Sequence, residues 1–264
     1  MINLLKAELY RAKFFKSIWI GLIVVFGLTV INILVANSLT NAAEGSEFLY
    51  EYMGLAYSGK SVILGGVSAT DTTFLLGIII SLIVGGSFQN GAMRNATVCG
   101  SKRINVYFTF FIETLFLSIV YVVANFVIAG VLSPIVGYGV DFTGKEFGIL
   151  IGRMCLQFLC VVAYSSVFLM LSMLIRKSGA AIGLSIGFYI VENLIISAIV
   201  VAATFADNVG LLNFTNAFLS TCLTTASSSG LLSTKSILIC TFVPIAWIIL
   251  SSLVSILTFE KRDL

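Results

Sequence analysis

Residues 147–205 read FGILIGRMCLQFLCVVAYSSVFLMLSMLI, then Arg176-Lys177, then SGAAIGLSIGFYIVENLIISAIVVAATF. Each apolar half exceeds the roughly 20 residues a helix needs to cross a bilayer. Arg153 and Glu192 are the only charges inside them. Neither half alternates apolar and polar residues as the strand of a membrane barrel would. Backbone in hydrocarbon must satisfy its own hydrogen bonds, so both halves read as spanning helices joined by a two-residue turn. An Arg-Lys turn also points to a side, because short cationic connections stay in the cytosol.

Four similar runs lie outward of this pair, at about 17–37, 72–88, 104–132 and 236–259. With 147–175 and 178–205 they make six spans. The fold class is an all-α polytopic membrane protein, with residues 1–264 as a single transmembrane domain. The first run is longer than the ~7–15 residues of a signal-peptide core, so it reads as a retained span. Composition agrees: 59% of the 264 residues are hydrophobic and 10% charged, against roughly 25% charged in soluble domains. No room remains for a soluble catalytic domain, so such work must come from another chain.

Other totals exclude whole classes of chemistry. The chain has no histidine, which removes Ser-His-Asp and Cys-His catalysis, histidine-liganded zinc and histidine proton relays. Cys99, Cys155, Cys160, Cys222 and Cys240 are odd in number and form no C-x-x-C pair. No structural disulfide and no metal site is expected from them.

With the N-terminus inside, the inner segments hold Lys6, Arg11, Lys13, Lys16, Arg94, Lys102, Arg103, Arg176, Lys177, Lys261 and Arg262. The outer segments keep Lys60, Lys145 and Lys235, with Arg153 just inside the fourth span. This bias predicts both termini in the cytosol of a cell whose plasma membrane holds the chain. Residues 1–16 predict an interfacial helix, with Ile2, Leu5, Leu9 and Ala12 on one face and Lys6 and Lys13 beside it. The outer loops are expected at 38–71, 133–146 and 206–235. The last is almost uncharged and rich in Leu, Phe and Thr, which predicts a re-entrant or interfacial helix around 211–225. The inner loop 88–103 reads FQNGAMRNATVCGSKR. Gly91 and Gly100 would act as hinges, and a short helix between them would lie along the membrane plane, a suitable docking surface for a soluble partner.

Gly54 to Ser61 matches the phosphate-binding pattern G-x-x-x-x-G-K-[ST]. That motif needs a strand before it and a helix after it. Here it falls in an outer loop with no α/β domain around it, so no nucleotide site is expected. Glu113 and Glu192 lie within spans, where a charge at the bilayer centre costs ~3 kcal/mol or more. Each is a candidate for a pathway lining, a gate or a hydrogen-bonding pair, although Glu113 is close enough to Arg103 to snorkel. Gly179, Gly183 and Gly187 recur every four residues and suit close helix packing, within the chain or in a dimer.

The assembled pattern resembles the ABC type-2 export permeases. The stretch Phe88-Gln89-Asn90-Gly91-Ala92-Met93-Arg94-Asn95, then Gly100-Ser101-Lys102-Arg103, is similar to the family's segment entering span three. The opening LLKAELYRAK and the closing FEKRDL are similar to the family's ends. The family's acid before the glycine is replaced by Gln89 and Asn90, and its Thr after the glycine by Ala92. The resemblance implies a permease subunit with no catalytic residues of its own. Two copies, or this chain and a related one, would pair with two cytosolic ATPases that bind ATP and Mg. Residues 88–103 would be the coupling segment: Phe88, Gln89, Asn90, Gly91, Met93, Arg94, Asn95, Gly100, Lys102 and Arg103. The apolar spans suit export of a hydrophobic or amphipathic peptide or a lipid-like compound, and no nucleic-acid partner is expected. The alternatives are an ion-coupled secondary transporter using Glu113 and Glu192, and a non-transporting membrane sensor or assembly subunit.

Overall fold

The computed structural model describes residues 2–43, 59–69, 72–98, 102–136, 144–206, 209–228 and 232–261. Every element among them is a helix. A short helix α1 (Ile2–Phe14) precedes the first long one, α2 (Lys16–Ala43). Next come α3 (Gly59–Ala69), α4 (Thr72–Gln89), the short α5 (Ala92–Val98) and α6 (Arg103–Ile135). The run 147–205 forms α7 (Gly144–Ile175) and α8 (Ser178–Ala206), separated by Arg176 and Lys177 as its composition requires. Two short helices, α9 (Val209–Thr215) and α10 (Leu219–Ser227), lead to α11 (Thr234–Lys261). Six stretches are long and apolar enough to cross a membrane: Lys16–Ser38, Ser61–Gln89, Arg103–Ile135, Phe147–Ile175, Ser178–Ala206 and Thr234–Phe259.

One expectation is overturned. Residues 59–69 were assigned to an outer loop, yet they form α3, with Val62, Ile63, Leu64 and Val67 buried. A small residue makes this packing possible: Gly66 lets α3 approach the Asn125 side chain on α6. Gly59, Lys60 and Ser61 therefore open a helix packed on α6 and α10. Gly54 to Ser58, the rest of the phosphate-binding pattern, lie outside the described residues.

The bundle is built around α7, which packs against α4, α6, α8, α10 and α11. Of its most apolar stretch 72% is buried, against 11% for α8 and 17% for α11. Lipid cannot squeeze apolar surfaces together, so contact relies on close packing and polar pairs. The hydroxyls supply these pairs. Ser118 and Ser165 lie 2.6 Å apart and join α6 to α7. Ser166 and Ser251, at 2.8 Å, join α7 to α11. Ser81 sits 2.9 Å from Ser185 and 3.2 Å from Ser172, so α4, α7 and α8 meet at one point. Ser165 and Ser172 also donate to carbonyls four residues back in their own helix.

Among the described residues, nothing packs against the glycine stripe on α8: a methyl added at Gly179, Gly183 or Gly187 would meet no atom of another helix within 4 Å. Gly85 on α4 does bring helices together, because a methyl there would run into the backbone of Ser178. Gly85→Ala should therefore destabilise the detergent-purified chain by about 1–3 kcal/mol. Gly183→Ala should raise its stability by up to about 1 kcal/mol, through helix propensity alone. Thermal unfolding of both variants checks the opposite signs.

Candidate functional site

Positive charge gathers at one end of the bundle through specific contacts. Arg176, in the two-residue turn, adopts a left-handed backbone with φ 60°, which costs a non-glycine residue roughly 1–2 kcal/mol. Its guanidinium stands over the Phe88 ring, 5.6 Å from the centroid. Phe88 also meets Phe259 of α11 edge-on at 6.2 Å. Arg103 donates to the Phe259 carbonyl at 3.3 Å, and Ser178 donates to Gln89 Oε1 at 3.1 Å. The ends of α4, α7 and α11 and the starts of α6 and α8 are thereby tied into one plate.

The helix α5 hangs from this plate. Gly91 makes the corner with φ +68°, a conformation that glycine adopts without strain. Met93 is 1% exposed and anchors α5, with Ala96 packed one turn on. Arg94, Asn95 and Val98 are exposed on the other face, while Gln89, Asn90 and Lys102 are exposed beside it. The ten sequence candidates therefore divide. Phe88, Met93 and Arg103 are structural anchors, Gly91 is the corner, and Gln89, Asn90, Arg94, Asn95 and Lys102 form the presented face. Gly100 lies outside the described residues.

The sequence reading missed the contribution of Glu8 and Arg11. The inward face of α1 holds Leu5, Glu8 and Ala12, with Ala12 6% and Glu8 9% exposed. Arg11 pairs with Glu8 at 2.6 Å and donates to Ser87 Oγ on α4 at 2.6 Å. Glu113 on α6 lies within electrostatic reach of both. It is 1% exposed, and neither of its carboxylate oxygens has a hydrogen-bond partner among the described residues. The Leu5-Glu8-Ala12 spacing was the signal available, since a residue between two inward positions at i+3 and i+4 must itself face inward.

Glu192 has a different task. Its Oε2 accepts from the Tyr164 hydroxyl at 2.8 Å and its Oε1 from the Ser220 backbone N–H at 3.0 Å. Ser220 also donates its hydroxyl to Asn193 Oδ1 at 2.9 Å. Glu192 thus caps the first turn of α10, whose exposed N–H groups and dipole favour a carboxylate. Trp247 donates to the Ala217 carbonyl at 3.1 Å, and Gln157 to the Ala226 carbonyl at 3.3 Å. Glu192 and Trp247 lie near the middle of α8 and α11. The segment expected near 211–225 is therefore two short helices, and the turn between them lies against the middle of α8 and α11. The two acids face different elements and do not share a site.

Two predictions follow from these contacts. Glu192→Ala should free the start of α10 and speed thiol labelling of Cys222, which is buried in the native chain. Glu192→Gln should have a smaller effect, because its amide oxygen can still accept one of the two bonds; labelling followed by site-resolved mass spectrometry checks this. Burial raises the pKa of Glu8 above its ordinary 4.5, with Arg11 opposing. Between 4.5 and the raised value the folded chain holds a proton that the unfolded chain releases, so this contribution to stability falls as pH rises through that window. Glu8→Gln should flatten that part of the stability profile, as melting temperatures measured from pH 4.5 upward would reveal.

No protein-family model matches this chain, and no curated protein matches it.

Proposed function

We propose that the chain is the transmembrane permease subunit of an ATP-driven exporter of the ABC type-2 kind. The observation that carries this reading is α5, a short helix anchored by Met93 whose opposite face presents Arg94 and Asn95. The cationic end is cytosolic in this reading, as are both termini.

The mechanism draws on the plate described above. A separate ATPase binds ATP and Mg and docks on α5, Gln89, Asn90 and Lys102, with the outer face of α1 beside them. Closure of two ATPases moves α5, and the Gly91 corner passes the displacement to α4. Arg11 couples α4 to α1 through Ser87, while Arg176 couples it to the α7–α8 turn through Phe88. Two permease copies, or this chain and a relative, alternate between inward and outward states. The cargo class is a hydrophobic or amphipathic peptide or lipid-like compound, supported by the apolar surfaces of the spans and their few buried charges. Glu192 has both oxygens occupied, which weighs against its serving as an ion carrier in a secondary transporter.

A cytosolic ATPase should copurify with the chain from native membranes. Arg94→Glu should lower cargo-stimulated ATP hydrolysis by about ten-fold or more, the scale of a central interface residue. Membrane insertion should be unchanged. Transport by the reconstituted chain alone, under a proton gradient and without an ATPase, would sink the reading.

A further inference from the structure

A crevice of about 400 Å³ opens between α1, α2 and α6. Leu9 and Lys13 of α1, Trp19 and Leu22 of α2, and Phe116 and Val120 of α6 form its walls. The corner is fixed rather than collapsible. The Trp19 indole N–H donates to the Lys13 carbonyl at 2.9 Å, which satisfies one of the carbonyls left open at the end of α1. The Tyr121 hydroxyl donates to the Ile18 carbonyl at 2.7 Å and holds α2 on α6. Trp19 and Phe116 in its walls are exposed, as are Ile20 and Ile23 on the same stretch of α2, so it opens on an apolar face of the spans.

The walls are apolar except for Lys13. The cation is at the α1 end, and the apolar wall runs along α2 and α6 toward Leu22 and Val120. Lys6 and Lys16 are exposed on the same end of the chain. The acids nearby are withheld: Glu8 is turned inward against Arg11, and Glu113, one turn before Leu117, is 1% exposed under α1. An amphiphile with a negative head and an apolar tail matches this order of charge.

We propose that this crevice binds one anionic phospholipid, with its phosphate at Lys13 and an acyl chain along α2 and α6. A second crevice of about 430 Å³ between α6 and α7 supplies the contrast. Its walls, including Val123, Phe126, Ile151 and Met154, are apolar and carry no charge. That crevice accepts a chain without preference for the headgroup. The proposal rests on the spans and on α1, and is independent of any ATPase.

The test uses the full-length chain in detergent with brominated phosphatidylglycerol or phosphatidylcholine of matched chains. The chain has two tryptophans, Trp19 and Trp247, so Trp247→Phe leaves Trp19 as the sole reporter at the crevice wall. Phosphatidylglycerol should quench Trp19 at concentrations about ten-fold or more below those needed with phosphatidylcholine, the scale set by one or two lysines near a phosphate. Lys13→Glu should erase that preference, Lys13→Arg should keep it, and Lys235→Glu, at the other end of the bundle, should not change it. Native mass spectrometry of the chain with Trp247 intact should show the same order of lipid retention. Equal quenching by the two lipids in the parent protein overturns the site, as does a preference that survives Lys13→Glu. Loss of a copurifying ATPase would leave all these readings unchanged, so the two proposals fail separately.

Discussion

A hydroxyl inside hydrocarbon has no water to turn to, and the bundle is organised around that constraint. Serines at 81, 118, 165, 166, 172, 185 and 251 sit where helices cross, and each is paired across an interface at 2.6–3.2 Å. Back-donation to the carbonyl four residues earlier uses the single protons of Ser165 and Ser172 before any tertiary contact forms, which leaves Ser118 to donate across to Ser165. Such pairs contribute only about 0.6–2 kcal/mol each, so their effect lies in number and placement. They fix which faces of α4, α6, α8 and α11 turn toward α7. Gly85 works to the same end, removing a side chain where α4 meets the start of α8.

The same constraint bears on the turn between α9 and α10. Irregular backbone at mid-span survives only where protein or water satisfies it. Glu192, Tyr164, Trp247 and Gln157 carry out that satisfaction from three different spans. An acid near the middle of α8 is therefore tolerated because a helix start needs it. This inverts the usual inference from an intramembrane charge: the desolvation cost is met by stabilising another element, and no transport step is required of it.

The spans were legible because a length of apolar chain has few alternatives in lipid. The run 147–205 dictated two helices and a cationic turn, and both are present. What escaped had no periodic signature. Nothing in the sequence around Gly66 says that the Asn125 side chain lies beside it. Gly179, Gly183 and Gly187 look like a packing seam, but a stripe does not say whether any helix of the same chain faces it. Glu8 was readable in principle from Leu5 and Ala12, yet what surrounds its pair with Arg11, namely Ser87 of α4 bonded to Arg11 and Glu113 of α6 within electrostatic reach, is assembled only by the tertiary fold.

That convergence makes α1 more than a surface float. An interfacial helix held by lipid alone could drift independently of the spans. Here Arg11 reaches α4 close to the Gly91 corner, while Ala12 and Glu8 press on α6. The Arg11–Ser87 bond therefore ties α1 to α4 one turn before the Gly91 corner from which α5 hangs, while the Glu8–Arg11 pair, both of whose members stand on α1, holds the guanidinium in place for it. The crevice at Lys13 lies between α1, α2 and α6, the helices that the Tyr121–Ile18 bond and the buried Ala12 hold together, so its walls are fixed by the same contacts that keep α1 on the bundle.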